Sequence, residues 1–187
     1  MLQQIAEITR IFQVYGASPY GAEAVTHMQH ALQCAYLAER ANSRPELVAA
    51  ALLHDMGHLL GCYAEELPPD ADDGHQTIAP RFLHSLFPDA VIEPIRLHVD
   101  AGRYLSAMDS AHWSALSSTS RKNLTARGGP FTASEATTFI RRPYAPDAVA
   151  LHRWDEQARN PLARTPGWSH FLPMLHRLDT TAQVAAA

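Results

Sequence analysis

Six residues hold most of the chemistry this sequence could perform: His30, His54, Asp55, His75, His98 and Asp155. His54 and Asp55 are adjacent and lie in the apolar run Ala-Leu-Leu-His-Asp-Met-Gly-His, residues 51–58. A carboxylate at the end of an apolar helix is costly unless it is paired or coordinates a metal. The dipeptide alone fits a His–Asp hydrogen bond between helices as well as it fits a ligand pair. The other four residues favour a metal. His30 shares its segment with Met28 and Cys34, His75 and His98 fall on two later segments, and Asp155 follows Trp154. Four histidines and two aspartates, each on a separate segment except the His54-Asp55 pair, suit the donor set of a metal centre, with the Asp55 carboxylate free to bridge two ions. Imidazole and carboxylate together suit iron, manganese or zinc, and the lack of cysteine ligands argues against a structural zinc knot.

These residues must be positioned by helices. The sequence predicts a first helix over about 2–14, a turn at Ser18-Pro19-Tyr20-Gly21, and a second helix over about 22–40 with Val25, Met28, Leu32 and Ala35 on one buried face. Ser43 and Glu46 have capping-box spacing ahead of the apolar run 47–53, which is apolar on all sides and so belongs at the centre of the domain. A loop is expected over 62–73. Asp72 or Asp73 would cap a helix through Phe87, and Asp89 another through about Asp100. Gly128-Gly129-Pro130 is a break, Thr132 and Glu135 form a second capping box, and the following helix stops before Pro143. Further helices are expected from about Pro146 and over 168–178. No stretch alternates like a strand, so the fold class is all-α, one domain over 1–178 with a disordered tail over 179–187.

Composition narrows the function. A chain of 187 residues with 47% hydrophobic and 18% charged residues suits one soluble domain. Its net charge of -4 argues against a nucleic-acid partner, which usually demands a basic excess. No apolar run is long enough for a membrane span, and no signal-peptide pattern opens the chain, so the cytoplasm is the expected location. Cys34 and Cys62 are read as reduced thiols. Histidine stands out, with 11 in the chain.

The order His30, His54-Asp55, Asp155 resembles the HD-domain superfamily, and His75 with His98 resembles those members that hold two metals. The likeness covers most of the chain. Tyr20-Gly-Ala-Glu23, His30-Ala-Leu-Gln-Cys-Ala-Tyr, Leu-Leu-His54-Asp55-Met-Gly-His58, His98-Val-Asp-Ala-Gly-Arg-Tyr-Leu, Ser120-Arg-Lys-Asn-Leu, Gly128-Gly-Pro and Arg153-Trp-Asp155-Glu resemble the HD-domain oxygenases of phosphonate catabolism. That resemblance implies a single helical HD bundle whose central buried helix carries the His-Asp pair. It implies two iron ions in a mixed-valent Fe(II)/Fe(III) state, held by His30, His54, Asp55, His75, His98 and Asp155. Its substrates would be O2 and a small organophosphonate. By the same resemblance Tyr20 ligates one iron and swings away for substrate, Glu23 helps gate that movement and contacts the substrate's amino group, and His58 contacts the substrate or supports a ligand.

Two positions depart from the family pattern. Gly102 stands where the family has a lysine, and His152 where it has a phosphonate-gripping arginine. A dianion needs cationic or hydroxyl donors. Ser120 is retained, and Arg103, Arg121, Lys122, His152 and Arg153 are the candidates to complete the anchor. The resemblance thus points to oxidative cleavage of a C–P bond in a 1-hydroxyphosphonate, giving a carboxylic acid and phosphate. The altered anchor leaves open a substrate without phosphorus. The ligand set alone also fits a metal-dependent phosphohydrolase, or a metal-binding module without turnover.

Overall fold

The computed structural model describes residues 2–64, 75–116 and 118–181; the side chains of residues 2–3, 62–64, 75–76 and 118–119 lie outside the description. The described chain is helical, with an isolated bridge between Pro19 and Thr26 as its only β pairing.

The centre is α3 (Pro45–Leu53), whose residues from Leu47 to Leu53 are all buried. Burying each of its Leu and Val side chains contributes on the order of 2 kcal/mol, which is why this segment holds the middle of the bundle. It packs against α2 (His27–Arg40), α6 (Asp89–Met108), α10 (Ala145–Gln157) and α11 (Trp168–Leu178). Its start is fixed by Pro45 in the first turn. Arg44 then donates to both carboxylate oxygens of Asp147, at 3.1 and 2.7 Å, in the first turn of α10. The expected Ser43–Glu46 box is not formed: Arg44 is the N-cap, with no side-chain cap, because Pro45 already supplies the helical φ.

α1 (Leu2–Tyr15) buries Ile5, Ile8, Ile11 and Phe12, and the Phe12 ring meets Trp168 of α11 at 4.6 Å. α2 begins at His27, five residues later than its periodicity suggested. Thr26 caps it, accepting from Gln29 N–H while the Gln29 side chain accepts from Thr26 N–H. Residues 20–25 instead form a tight loop, closed by Tyr20 N–H on Val25 O and turned at Gly21 with φ of 56°.

α4 (Met56–Ala64) follows α3 after only His54 and Asp55, so Cys62 lies in a helix where a loop was expected. The proposed caps Asp72 and Asp73 lie outside the described residues. α5 (His75–Leu83) ends four residues short of Phe87. α6 starts from Pro88, with Asp89 in its first turn, and runs on to Met108 instead of stopping near Asp100. Its buried residues Ile95, His98, Ala101, Gly102 and Leu105 keep helical spacing through the glycine, so the apolar seam outlasts the expected break. α7 (Ser110–Ala115) and α8 (Ser118–Ala126) occupy a stretch to which no helix had been assigned. Gly128 and Gly129, with φ of 99° and 70°, end it as expected. α9 (Ala133–Ile140) carries the Thr132–Glu135 capping box.

Past α11, Asp179 is buried and Thr180 N–H donates to Leu86 O, so the described chain is anchored through residue 181. Residues 182–187 of the expected tail lie outside the described residues. No described helix is long and apolar enough to cross a membrane.

Candidate metal centre

His30 lies in the first turn of α2, earlier in its helix than expected, and His54 and Asp55 form the α3–α4 junction. His98 sits mid-way along α6, and Asp155 lies in the last turn of α10. All five are buried. His30 Nε2 is 3.5 Å from His54 Nε2, 3.5 Å from Asp55 Oδ2 and 3.4 Å from Asp155 Oδ1. His54 Nε2 is 3.3 Å from Asp55 Oδ2. On the other side of the same carboxylate, His98 Nε2 is 3.9 Å from Asp55 Oδ1. The His75 side chain, the sixth expected ligand, lies outside the described residues.

Each imidazole is held from behind. His30 Nδ1 meets Ala158 O at 2.9 Å, His54 Nδ1 meets Ala51 O at 3.0 Å, and His98 Nδ1 meets Ile95 O at 2.6 Å. A carbonyl accepts only, so each Nδ1 carries the proton, and the Nε2 lone pairs of neutral rings face the centre. This backbone anchoring is how metal-ligating histidines are oriented. Nitrogen lone pairs and carboxylates converging at 3.3–3.5 Å repel one another unless a cation lies among them.

Without a metal, one proton does part of that work. Burial lowers the His54 pKa, but the Asp55 and then Asp155 carboxylates outweigh it and lift it to about 9. Burial wins at His30, whose pKa is lowered, so that ring is neutral. Burial raises Asp155, but His30 and His54 overcome it and the carboxyl stays below its ordinary range. The donor set and its electrostatics therefore fit divalent or trivalent metal ions. Cys34 Sγ lies 3.5 Å from His30 Nε2, but burial, followed by Asp155 and Asp55, pushes its thiol well up, so it remains a poor ligand.

Tyr20 covers the centre. Its ring stacks on His30 at 3.9 Å with the planes 11° apart, and its hydroxyl donates to Asp55 Oδ2 at 2.8 Å and lies 3.4 Å from Asp155 Oδ1. Burial, Asp155 and Asp55 all push the phenol pKa up. Above the centre opens a cleft of about 610 Å³.

These geometric features are accompanied by clear sequence kinship. The HD domain family matches residues 28–112. Hydroxymethylphosphonate dioxygenase of Gimesia maris is 37% identical over 159 residues, covering 84% of this chain and 79% of that protein. The [1-hydroxy-2-(trimethylamino)ethyl]phosphonate dioxygenase (glycine-betaine-forming) of Leisingera caerulea is 33% identical over 169 residues, covering 90% of this chain and 86% of that protein. The chain belongs to the HD-domain phosphonate dioxygenase family.

Within this family member, the remaining candidates fall into two groups. Tyr20, Glu23, His58, Arg103, Ser120 and His152 all line the cleft. His58 Nε2 lies 3.9 Å from Asp55 Oδ1. Arg103 donates from Nε to Gly129 O at 2.8 Å and lies over the Phe131 ring, so most of its guanidinium is spoken for by the glycine turn. Arg121 and Arg153 do not line the cleft. Arg121 donates to Ser114 O at 2.7 Å and lies over Trp113, and Arg153 points to Asp109 from an exposed position.

Sequence reading missed Arg127, Asn123 and Arg159, which also line the cleft. Arg159 stands four residues beyond Asp155, a spacing too common on helix surfaces to mark it in sequence. It donates to Glu23 Oε1 at 3.1 Å, and its other terminal nitrogen is 3.8 Å from Asp155 Oδ1.

Proposed function

We propose that this protein is an O2-dependent oxygenase that cleaves the C–P bond of a small 1-hydroxyphosphonate at a pair of iron ions. The overall change converts R–CH(OH)–PO3H2 and O2 to R–COOH and phosphoric acid, with both oxygen atoms consumed. Family membership supports the reaction class. The observation that carries the two-ion reading is Asp55, whose Oδ2 faces His30 and His54 while its Oδ1 faces His98, directly beneath the cleft.

His30, His54, Asp155 and Asp55 Oδ2 would hold one ion. His98 and Asp55 Oδ1 would hold the other, with His75 as the further ligand expected from sequence. An iron pair supplies Lewis acidity toward the substrate's oxygens and the electrons needed to activate O2.

The protein's own groups do the rest. Tyr20 closes the first position, with its hydroxyl on Asp55 and its ring on His30, and must yield that place when substrate enters. Glu23, on the same loop, couples that movement to the far wall of the cleft. His58 stands on the Oδ1 side, within reach of the substrate's hydroxyl. Ser120, His152 and Arg103 line the wall where the phosphonate oxygens would sit, and the hydroxyl and imidazole supply donors there. The buried helices exclude water from the carbon being oxidised.

The test is phosphate release from hydroxymethylphosphonate by protein reconstituted with Fe(II) under nitrogen and then partly oxidised. Phosphate should appear on admitting air, accompanied by a coupled mixed-valent EPR signal that shifts with substrate. Equal phosphate release without O2 would replace oxygenation by hydrolysis.

A further inference from the structure

We infer that the cleft takes a 1-hydroxyphosphonate whose other substituent is uncharged, and that Arg159 sets this preference by occupying Glu23. The inference rests on the proposed function and narrows its substrate class. A substrate carrying an ammonium group needs a carboxylate to receive it or an aromatic cage to surround it.

Among the described residues, the carboxylates lining the cleft besides Asp55 and Asp155 are Glu23 and Glu156. Glu23 accepts from Arg159 at 3.1 Å, and Glu156 Oε2 lies 3.0 Å from His112 Nδ1. Both already have partners. The described lining includes no Phe or Trp, and the ring of Tyr20 is stacked on His30 and makes a T-shaped contact with His27. No cage is available among the described lining residues.

Arg159 is also held in place. Its guanidinium spans Glu23 on the Tyr20 loop and Asp155 on α10, at 3.1 and 3.8 Å. A substrate cation directed at Glu23 would meet this fixed positive charge. Arg127 lines the cleft as well, so an anion with a neutral substituent matches the charge of these walls.

The experiment compares hydroxymethylphosphonate, (1-hydroxyethyl)phosphonate and (2-amino-1-hydroxyethyl)phosphonate on the iron-loaded protein. It reads kcat/KM for phosphate release in air and, separately, Kd by calorimetry under nitrogen. The two substrates with uncharged substituents should be favoured over the ammonium substrate by about tenfold or more in both readouts. Arg159→Met should move that ratio by about tenfold toward the ammonium substrate, and adding Glu23→Gln should return it. Arg159→Lys, which keeps the charge, should leave the ratio near its wild-type value. A wild-type preference for the ammonium substrate would overturn the inference. So would a ratio unchanged in Arg159→Met with all affinities reduced, which would make Arg159 a phosphonate anchor. If no compound is turned over but the Kd ratio still favours those with uncharged substituents, the oxygenase reading fails while the charge selection stands.

Discussion

A Cβ on residue 102 would lie 2.6 Å from His152 Cε1 and 2.8 Å from His152 Nε2. The two positions that the sequence resemblance set apart are therefore direct neighbours in the fold. The imidazole of His152 occupies the space beside α6 that a side chain at position 102 would fill, and only glycine permits it. His152 is neutral in this setting, since burial lowers its pKa against the pull of Asp155 and Glu156.

Gly102→Ala tests the interlock. Alanine favours an α-helix interior over glycine by about 1 kcal/mol. Overpacking against His152 costs about 1–3 kcal/mol, and this term should win, leaving the variant less stable. In a His152→Ala background the same substitution should become stabilising. The two single changes would then couple by on the order of 1 kcal/mol or more in urea denaturation. Additive effects would show that the imidazole moves aside freely.

On the proposed two-ion reading, the division of Asp55 between two sides of the centre would set the metal stoichiometry. Wild-type protein should bind about two irons per chain, and His98→Ala about one, because the donors around Asp55 Oδ2 remain. Asp55→Ala should keep neither through gel filtration, since it removes a ligand from both sides at once. Metal analysis of the desalted proteins checks this. One iron per chain in wild type, or two in His98→Ala, would end the two-ion reading.

The parts of this structure that were legible in sequence are those set by local rules. The all-apolar run 47–53 became the buried centre, and Thr132 with Glu135 formed the cap that their spacing promised. The Ser43–Glu46 pair has the same spacing and failed because Pro45 stands between them. Helix α2 was read too long because Val25 fits its buried face, while Thr26 and Gln29 close the cap one residue later. The His54-Asp55 pair was legible because a buried carboxylate is costly unless it is paired, and the candidate ligands His30, His98 and Asp155 because polar groups recur there on apolar segments. Arg159 was not, because an arginine four residues after an aspartate is an ordinary surface pattern. Only the tertiary fold brings Glu23, 136 positions away, to its guanidinium.

Tyr20→Phe separates the hydroxyl from the ring. The stack on His30 survives, while the bond to Asp55 Oδ2 is lost. The raised phenol pKa keeps Tyr20 protonated at neutral pH in metal-free protein, so only a bound ferric ion would draw off its proton. Fe(III)-loaded wild type should show a visible tyrosinate-to-iron absorption band, and the Phe variant should lack it with its far-UV circular dichroism unchanged. A band that persists in the variant would assign it to another group and leave Tyr20 as a hydrogen-bond donor alone.

The His54 proton gives the metal-free protein a pH dependence of definite sign. The folded pKa of about 9 lies above the ordinary 6.5, so the stability it contributes is complete below pH 6.5 and is lost as pH rises through 9. The full effect is on the order of 3 kcal/mol. Asp155 has a depressed value whose contribution is lost far on the acid side, and His30 and His152, also depressed, add only a small opposing rise near pH 6.5. The melting temperature of chelator-treated protein should therefore fall from pH 6.5 to 9. A metal ion must displace the same proton, so its apparent affinity should rise by about tenfold per pH unit across that window, and the stabilisation that metal adds should grow by what the metal-free form loses, leaving the metal-loaded protein nearly level. Thermal scans with and without metal at pH 6.5, 7.5 and 8.5 measure both. A metal-free melting temperature that rises with pH would mean that His54 is neutral throughout, and that the carboxylates are held apart by something other than its charge.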